Sequence, residues 1–548
     1  MPQTVQTGPA SGHRPTTGSG ATALRGGRTW LTRRPTPYLV VGGLFWLMMT
    51  LAYWRVPLCC DAGLYAAAVE RLRPDLLDPA HPTVDLPGAG SPVYTPYAVA
   101  QGVLARLTGL GGWSLLKLAG PVNLLVLLTG IGRLVRLLTP RPWAPVLALP
   151  LVTLLWGTGR APWSGGPGLM PMTTDLGHPS TLAVALTFWA WAWTGARARG
   201  GGLSGRRVRY VGPGGLGSVW AYAGLGMPYG LILAVHPVTG VGAAAGALAA
   251  VTASQRGWRW PLAGRWALTG AVALLIAVSW PYYDVLSSAA GGTGPEEVRP
   301  HRYADLAGHL WPALLGLPAL PALWARGRGS ARDPLVPMFV AECLVVVYGR
   351  VGGHPAYDRI AGLAAVLALV ALAVELTTPR PWRWARRLLG GAAVAGACAG
   401  LLTVQAGAVV PAALDPVGFE RPPRWPSYAW AARHLRAGDV VIADGYVAGR
   451  TIAGYGVNLV APARPDPAVE EAERARRLAD VRAYLDPAST RERRGIVARR
   501  YGVGWLLLTR RREVPEEAVV VDWGRETGEV LARIAPRQGV SAKSRRRP

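Results

Sequence analysis

Apolar blocks of roughly membrane-spanning length recur along the first three quarters of the chain and alternate with short polar connections. A helix needs about 20 consecutive apolar residues to cross the hydrocarbon core of a bilayer. The pattern therefore predicts a polytopic α-helical membrane protein with about eleven transmembrane helices. Their approximate bounds are 38–54, 113–135, 143–159, 179–196, 216–235, 238–253, 263–280, 306–324, 334–349, 360–377 and 388–411. A further segment, 94–110, is predicted to lie along the membrane interface.

Basic residues are divided unevenly between alternate connections. The connections after the second, fourth, sixth, eighth and tenth predicted helices are rich in arginine, whereas the other connections hold most of the acids. Arginine and lysine concentrate in cytoplasmic loops of membrane proteins. We therefore predict a cell-membrane protein whose N-terminus, residues 1–37, is a disordered basic cytoplasmic segment. The same rule places a long first loop, 55–112, on the outer face.

The character of the sequence changes after the membrane region 38–411. Residues 412–540 are charged and read as a small extracytoplasmic α/β domain, followed by a basic tail, 541–548. The predicted helices are 427–436, 468–485 and 489–500, and the predicted strands are Val440–Ala443, Val457–Ala461, Val503–Thr509 and Ala518–Asp522.

Composition and motifs exclude several classes of protein. Hydrophobic residues make up 50% of the 548 residues and charged residues only 16%, so the net charge of +27 reflects membrane topology and predicts no nucleic-acid partner. The sequence has no Walker A, H-E-x-x-H or G-x-S-x-G motif. The match to G-x-G-x-x-G at 212–217 is not preceded by a strand, so it does not predict a dinucleotide site. The four cysteines form no legible disulfide framework.

A carboxylate opens the first outer loop. Asp61 follows the first predicted helix and starts an amphipathic pattern that continues to Leu72. An aspartate at this position can simply cap the helix. An ionisable group at the membrane edge can also mark a site. The remainder of the loop, 75–96, is long enough to be either functional or disordered.

Three more outer turns place a histidine before a proline. These pairs are His178-Pro179, His236-Pro237 and His354-Pro355. Because proline suits the first turn of a helix, the first two pairs are also explained by Pro-started helices with a neutral histidine beside each.

Two arginines flank the third of these turns, Arg350 before it and Arg359 after it. A guanidinium offers phosphate a planar fork of donors, although Arg359 could instead pair with its neighbour Asp358. The ionisable groups nevertheless converge on one predicted face of the membrane. Such groups are costly there and tend to mark sites, so the convergence predicts a functional site.

The whole pattern resembles the GT-C superfamily of membrane glycosyltransferases, which use polyprenyl-phosphate sugars. The most specific part is Asp61-Ala62-Gly63-Leu64-Tyr65, which is similar to the D-E-x-x-Y type pattern of the family's first loop, followed by a Ser-Pro-Val-Tyr-Thr-Pro run at 91–96. Segments 438–444 and 501–508 also look like the accessory domains of bacterial members. The likeness covers nearly the whole chain.

This resemblance implies an inverting sugar transfer in which Asp61 is the general base and the donor is a polyprenyl-phosphate-linked sugar. The acceptor would be a cell-envelope glycan or protein, and membrane lipids would surround the helices. The candidates for donor or substrate binding are Tyr65, His178, His236, Arg350, His354 and Arg359. Ala62 replaces the second acid of the motif, so we predict no metal site and no cofactor; a divalent cation would lack the adjacent acidic pair.

Two other functions fit the same pattern. A lipid or polysaccharide transporter or flippase would favour acids within the spans, and Glu342 and Glu375 lie there, but no internal repeat accompanies them. A non-catalytic scaffold would use the outer domain to bind a partner. Loss of activity on changing Asp61 separates an enzyme from a scaffold, and vesicle uptake separates an enzyme from a transporter.

Overall fold

The computed structural model describes residues 35–158, 166–200, 219–255, 260–290, 306–326, 333–379 and 383–535. Most of the predicted basic N-terminal segment and the whole of the predicted basic tail lie outside these residues.

The part of the chain before residue 412 is helical wherever the structure describes regular elements. Its helices are α1 (Pro37–Arg55), α2 (Ala62–Leu72), α3 (Pro96–Thr108), α4 (Gly112–Leu138), α5 (Ala144–Leu154), α6 (Leu169–Asp175), α7 (Pro179–Gly200), α8 (Val219–Val235), α9 (Pro237–Ser254), α10 (Trp260–Val278), α11 (Val285–Ala289), α12 (Leu306–Leu310), α13 (Ala319–Arg326), α14 (Leu335–Val351), α15 (Ala361–Thr377), α16 (Arg383–Gly400) and α17 (Ala406–Val409).

Six helical segments among the described residues are long and apolar enough to cross a membrane, judged by length and composition. They are Pro37–Arg55, Gly112–Leu138, Pro237–Ser254, Trp260–Val278, Pro355–Thr377 and Arg383–Val409. Two shorter apolar helices, α5 and α8, accompany them. The protein is therefore a multi-pass membrane protein, while the count of about eleven spans stays a prediction.

One predicted span differs clearly from the structure. The segment 306–324 is not a single helix but α12, a 3₁₀ turn (Trp311–Gly316) and α13 in succession. Pro312 and Pro318 lie at the two breaks. Proline lacks the N–H that a continuing helix needs and clashes with the preceding turn, so the hydropathy pattern alone overestimated the length of this helix.

The core of the helical region surrounds α15. Nearly every side chain of this helix is buried, because its sequence is almost entirely apolar and offers no polar face. It packs against α5, α13 and α14, while α4 packs against α7 and α8 against α10. The N-terminal end of α15 continues from a 3₁₀ turn, Pro355–Ile360, and this turn carries Arg359.

The predicted interfacial segment of the first loop forms α3. Thr95 caps this helix by accepting the Ala98 N–H at its side-chain oxygen, and Pro96 occupies the first turn. Gly109 ends it with a left-handed φ of 75°, a conformation that glycine adopts without strain.

A five-stranded mixed sheet lies in the C-terminal region. Its strands are β1 (Val440–Ala443), β2 (Asn458–Leu459), β3 (Val503–Leu508), β4 (Ala518–Trp523) and β5 (Val530–Ile534), in the order β2-β1-β3-β5-β4. Strand β1 runs parallel to β2 and β3, and β5 is antiparallel to β3 and β4. The helices are α18 (Ala429–Ala432), α19 (Tyr446–Thr451), α20 (Glu471–Leu485) and α21 (Arg491–Tyr501). The sequence analysis missed β5 and α19, both short.

The two faces of this sheet are covered by different parts of the molecule. Along β1, Val440 and Ile442 pack with Tyr484 of α20 and with α21. Val441 points the other way, into a cluster that includes Ala67 of α2. Alternate side chains of a strand face opposite sides, so the C-terminal domain packs one face of its sheet on the first loop.

Backbone hydrogen bonds extend this contact. Leu459 donates its N–H to the carbonyl oxygen of Thr83 at 2.7 Å, and Val84 forms a parallel bridge with β2. The C-terminal domain and the first loop therefore lie on the same face of the membrane. Which face is cytoplasmic stays a prediction.

Candidate active site

A cavity of about 250 Å³ lies between the C-terminal domain and the helix ends that face it. Its lining includes the five sequence-predicted residues Asp61, Tyr65, His236, His354 and Arg359. These residues come from α2, from the junction of α8 and α9 and from the 3₁₀ turn before α15. The structure thus brings together side chains that are up to about 300 positions apart.

Asp61 does not act as a helix cap. It occupies the N-cap position of α2, but its side chain accepts no hydrogen bond from the first turn. The preceding residue, Cys60, has a φ of 65°, and it is the one non-glycine residue with a positive φ in the part of the chain that the structure describes. Such a conformation costs about 1–2 kcal/mol and is tolerated where surrounding contacts impose it, often at functional sites.

Two arginines of the C-terminal domain hold the Asp61 carboxylate instead. Arg464 Nη1 lies 2.5 Å from Asp61 Oδ1, and Arg450 Nη2 lies 3.4 Å from the same oxygen. Burial acts to raise the pKa of Asp61, but the charges of Arg464 and Arg450 outweigh it and the pKa lies below its ordinary value. Asp61 is thus an ionised carboxylate, and its side chain is 26% exposed.

Arg450 is positioned by α19 and by a close approach to α2. Its Nη1 donates to the Tyr446 hydroxyl at 2.6 Å, and its guanidinium lies over the ring of the same tyrosine. A Cβ on Gly63 would lie 2.0 Å from the Arg450 carbonyl oxygen. Glycine at 63 therefore allows the domain backbone to approach α2 closely enough for Arg450 to reach Asp61.

Arg359 contacts the imidazole of His236. Its Nη1 lies 3.1 Å from His236 Nε2. Arginine can only donate, so Nε2 accepts from it. On the other side of the ring, Nδ1 accepts the Thr239 N–H at 3.3 Å and lies 2.8 Å from Thr239 Oγ1. Burial and the charge of Arg359 lower the pKa of His236 to about 3, so the ring is neutral. Asp358, the other partner considered for Arg359, bonds Arg350 at 2.9 Å.

A second carboxylate, Asp175 at the end of α6, lies behind Asp61. Burial, the largest influence, and the neighbouring Asp61 charge both raise the pKa of Asp175 above its ordinary value, while His178 opposes them. Its Oδ1 is 3.6 Å from His178 Nδ1, and the His178 ring packs against the Tyr65 ring, tilted by 59° with the centroids 5.0 Å apart. Of the two carboxylates, Asp61 is the one that is held ionised and faces the cavity.

The other predicted residues fall at different distances from this centre. His354 lines the cavity and lies edge-on to the Tyr357 ring. His178 is buried behind Tyr65. Arg350 is outside the cavity lining, with half of its side chain exposed, and pairs with Asp358.

An anchoring contact closes the domain side of the cavity. Asp466 accepts a hydrogen bond from the Ser91 hydroxyl at 2.7 Å, and its Oδ2 lies 3.2 Å from His81 Nε2. His81 Nδ1 in turn accepts the Thr83 N–H at 3.2 Å, which leaves Nε2 to donate toward Asp466. The first loop and the C-terminal domain are thus fixed together beside Asp61.

No protein-family model and no curated protein matches this sequence. Solved structures do resemble the fold. The arabinofuranosyltransferase AftD from Mycobacteria superposes with a TM-score of 0.50 at 15% identity over 91% of this chain and 41% of its own, so this chain spans under half of AftD. ArnT from Cupriavidus metallidurans gives 0.49 at 14% identity, covering 90% of this chain and 97% of its own. The oligosaccharyltransferase AglB from Archaeoglobus fulgidus, solved with an inhibitory peptide and a dolichol-phosphate, gives 0.46 at 12% identity, covering 86% and 69%.

These neighbours are GT-C glycosyltransferases, and the AftD superposition extends over nearly all of the described chain. The chain has the GT-C fold. This confirms the resemblance that the sequence pattern suggested. In this GT-C fold the cavity lies where the first loop, the helix ends and the C-terminal domain meet.

Sequence reasoning missed the two arginines that the C-terminal domain adds to the GT-C core. Arg450 lies in a helix of six residues and Arg464 in a Pro-rich loop. Neither segment has a hydrophobic periodicity from which the direction of a side chain could be predicted. The sequence does offer one signal in this loop: Arg464 and Asp466, two positions later, form a charged pair among prolines in an otherwise apolar connection. Such a pair is typical of ordered loops but does not identify what it contacts.

The described residues contain no group of three or more His, Cys, Asp or Glu side chains able to hold a metal ion. The prediction of no metal and no cofactor stays a prediction. What the arrangement offers chemically is two carboxylates, three guanidinium groups and three imidazoles around one cavity in a GT-C fold.

Proposed function

We propose that this protein is a membrane glycosyltransferase that moves a sugar from a polyprenyl-phosphate donor to a hydroxyl acceptor on the outer face of the cell membrane, with inversion at the anomeric carbon. The observation that carries the proposal is the pairing of an ionised Asp61 with a cluster of arginines in one cavity of a GT-C fold. The acceptor is a cell-envelope glycan or protein, and no nucleic acid takes part.

In this mechanism the acceptor oxygen attacks the anomeric carbon and the bond from that carbon to the phosphate oxygen breaks. The electron pair of the broken bond stays on the phosphate, which leaves as polyprenyl phosphate. Asp61 takes the proton of the acceptor hydroxyl. One carboxylate suffices for a single displacement, so no covalent intermediate on the protein is needed.

Arg359 is the donor-phosphate ligand on the membrane side of the cavity. It lies at the outer end of α15, and its contact with the neutral His236 ring orients its guanidinium without cancelling its charge. Donors fixed where negative charge develops stabilise a transition state strongly. Tyr65 and His354 line the remaining space, where the sugar would lie.

The alternative of a transporter is less well supported by the cavity. Glu375 pairs with Arg326 at 2.7 Å, and Glu342 packs beside Gly242 and Gly246 of α9. Neither acid lines the cavity that contains Asp61. Among the residues that the structure describes, no specific contact therefore favours transport over transfer.

The test is sugar transfer from polyprenyl-phosphate donors by purified wild-type protein and Asp61→Asn, with melting followed in parallel. Asparagine keeps the size of the side chain but cannot take up the proton usefully. General-base catalysis contributes about 10²–10⁴-fold, so we expect a loss of rate in that range. Equal transfer rates would remove Asp61 from the mechanism, and vesicle uptake without transfer would favour the transporter.

A further inference from the structure

The cavity contains more positive than negative charge. Three guanidinium groups line it, those of Arg359, Arg450 and Arg464. Of the two carboxylates that line it, Asp466 is engaged by Ser91 and His81, which leaves Asp61 facing the arginines. A cavity with such a surplus, closed on both sides by protein, favours an anionic ligand.

The two arginines of the C-terminal domain share one oxygen of Asp61. Arg450 is nearly buried, with 8% of its side chain exposed, whereas Arg464 is 22% exposed. Arg464 is thus the more accessible of the two to a ligand entering the cavity. Its planar fork of donors suits a phosphate as well as a carboxylate.

Resting on the function proposed above, we infer that the C-terminal domain contributes Arg464, supported by Arg450, to the donor site as a residue that binds the donor phosphate. Until the donor enters, the Asp61 carboxylate occupies the position on Arg464 that the phosphate will take. The site would then be complete only when the domain is docked on the first loop.

The exchange matches the charges of the reaction. While the acceptor hydroxyl attacks, Asp61 gains a proton and loses its negative charge. The departing phosphate passes from a singly charged diester to a monoester of up to two negative charges at neutral pH. Arg464 therefore exchanges the Asp61 carboxylate for the phosphate, which gains negative charge during the reaction. The carboxylate, no longer paired with Arg464, is a stronger base than in the paired state.

A purely structural role for the Arg464–Asp61 ion pair predicts something different. If the pair only docks the domain, removing either partner weakens the same contact and changes ligand binding in the same direction. If the carboxylate competes with the phosphate, removing the carboxylate charge strengthens binding and removing the arginine weakens it. The signs of the two effects separate these explanations.

The experiment measures the Kd of polyprenyl monophosphate, the released product, for the full-length protein in lipid nanodiscs. The variants are Asp61→Asn, Arg464→Ala and Arg464→Lys, with Arg433→Ala as the matched control, since Arg433 pairs with Asp522 elsewhere on the same domain. Melting is followed in every case. Arg464→Lys keeps the charge and loses the fork, so it tests the ligand role even if the alanine variant unfolds.

We expect Arg464→Ala to weaken binding about ten- to a hundredfold, as for the loss of a hydrogen bond to a charged group. Arg464→Lys should weaken it less, Asp61→Asn should bind more tightly than the wild type, and Arg433→Ala should be unchanged. Unchanged binding in both Arg464 variants, or weaker binding in Asp61→Asn, overturns this inference while leaving the glycosyltransferase proposal in place. A wild-type protein that does not bind polyprenyl phosphate overturns the proposed function and this inference with it.

Discussion

Two regions of the molecule face each other across the candidate active site. The membrane wall comprises Asp61, Tyr65, His236, His354 and Arg359, all at the ends of helices or in turns that join them. The domain wall comprises Arg450, Arg464 and Asp466, in a short helix and a Pro-rich loop. Asp61, the proposed base, belongs to one wall and the arginines that bind it belong to the other, so neither region alone forms the site.

The walls also differ in how they are held. Helices packed in the bilayer position the membrane wall, whereas contacts with the first loop position the domain wall, among them the Val84 bridge, the close approach at Gly63 and the Asp466 anchor. Changes in the membrane wall should affect chemistry directly. Changes at the contacts should act through the placement of the domain.

The largest effect is expected inside the membrane wall. Arg359→Ala should lower the transfer rate by about 10²–10³-fold, because it removes a fixed donor from the developing phosphate charge. Arg359→Lys should recover part of the rate. Initial rates at saturating acceptor give the comparison.

The matched control is Arg350→Ala, nine positions earlier. Arg350 bonds the largely buried Asp358 carboxylate outside the cavity. This variant should therefore lower the melting temperature and have little effect on the transfer rate. Equal losses of rate in the two variants would contradict the distinction between these arginines.

A smaller effect is expected where the two walls touch. Gly63→Ala places a methyl group against the Arg450 carbonyl oxygen and should push the domain away from α2. A displacement of about 1 Å at a site can cost up to about a hundredfold in rate, so we expect a loss of that order or less. Gly43→Ala in α1, where nothing lies within 4 Å, should leave transfer unchanged. A normal rate in Gly63→Ala would show that the domain contact is not needed.

The smallest effect is a change in pH dependence. Arg464 and Arg450 lower the pKa of Asp61 against the opposing effect of burial, so the wild-type base stays ionised down to acid pH. Arg464→Gln removes the guanidinium with the larger influence on Asp61, so the pKa of Asp61 should rise. The acid limb of kcat/KM, which reports the free protein, should therefore move to higher pH. An unmoved acid limb would mean that a group other than Asp61 controls it.

The sequence predicted the membrane wall better than the domain wall for a physical reason. Apolar blocks locate the helix ends, and a polar residue beside a helix end is already known to lie near the membrane surface, as for Asp61 and His236. The direction of a side chain in a turn is not encoded in the same way. Spacing could not tell that Arg359 lines the cavity and Arg350 lies outside it. The 3₁₀ turn Pro355–Ile360, which carries Arg359, sets the direction of that side chain.

The domain wall depends on tertiary contacts that no local pattern carries. The strands of the sheet follow from alternation and β-branched residues, and β1 was predicted with its observed bounds. That β2 pairs with residue 84 and brings Arg464 to Asp61 follows only from docking of two regions almost 400 positions apart. Gly63 is a local feature of the sequence that this docking requires. A glycine in a helix can be present for many other reasons, so it does not predict the docking.

The most direct test of the central claim, that both walls bind one donor phosphate, is a cryo-EM structure of the full-length protein in nanodiscs with polyprenyl phosphate. We predict phosphate density within hydrogen-bond distance of Arg359 and Arg464, with Arg464 turned away from Asp61. Phosphate bound elsewhere, or in the cavity with the Arg464–Asp61 pair intact, would contradict the account.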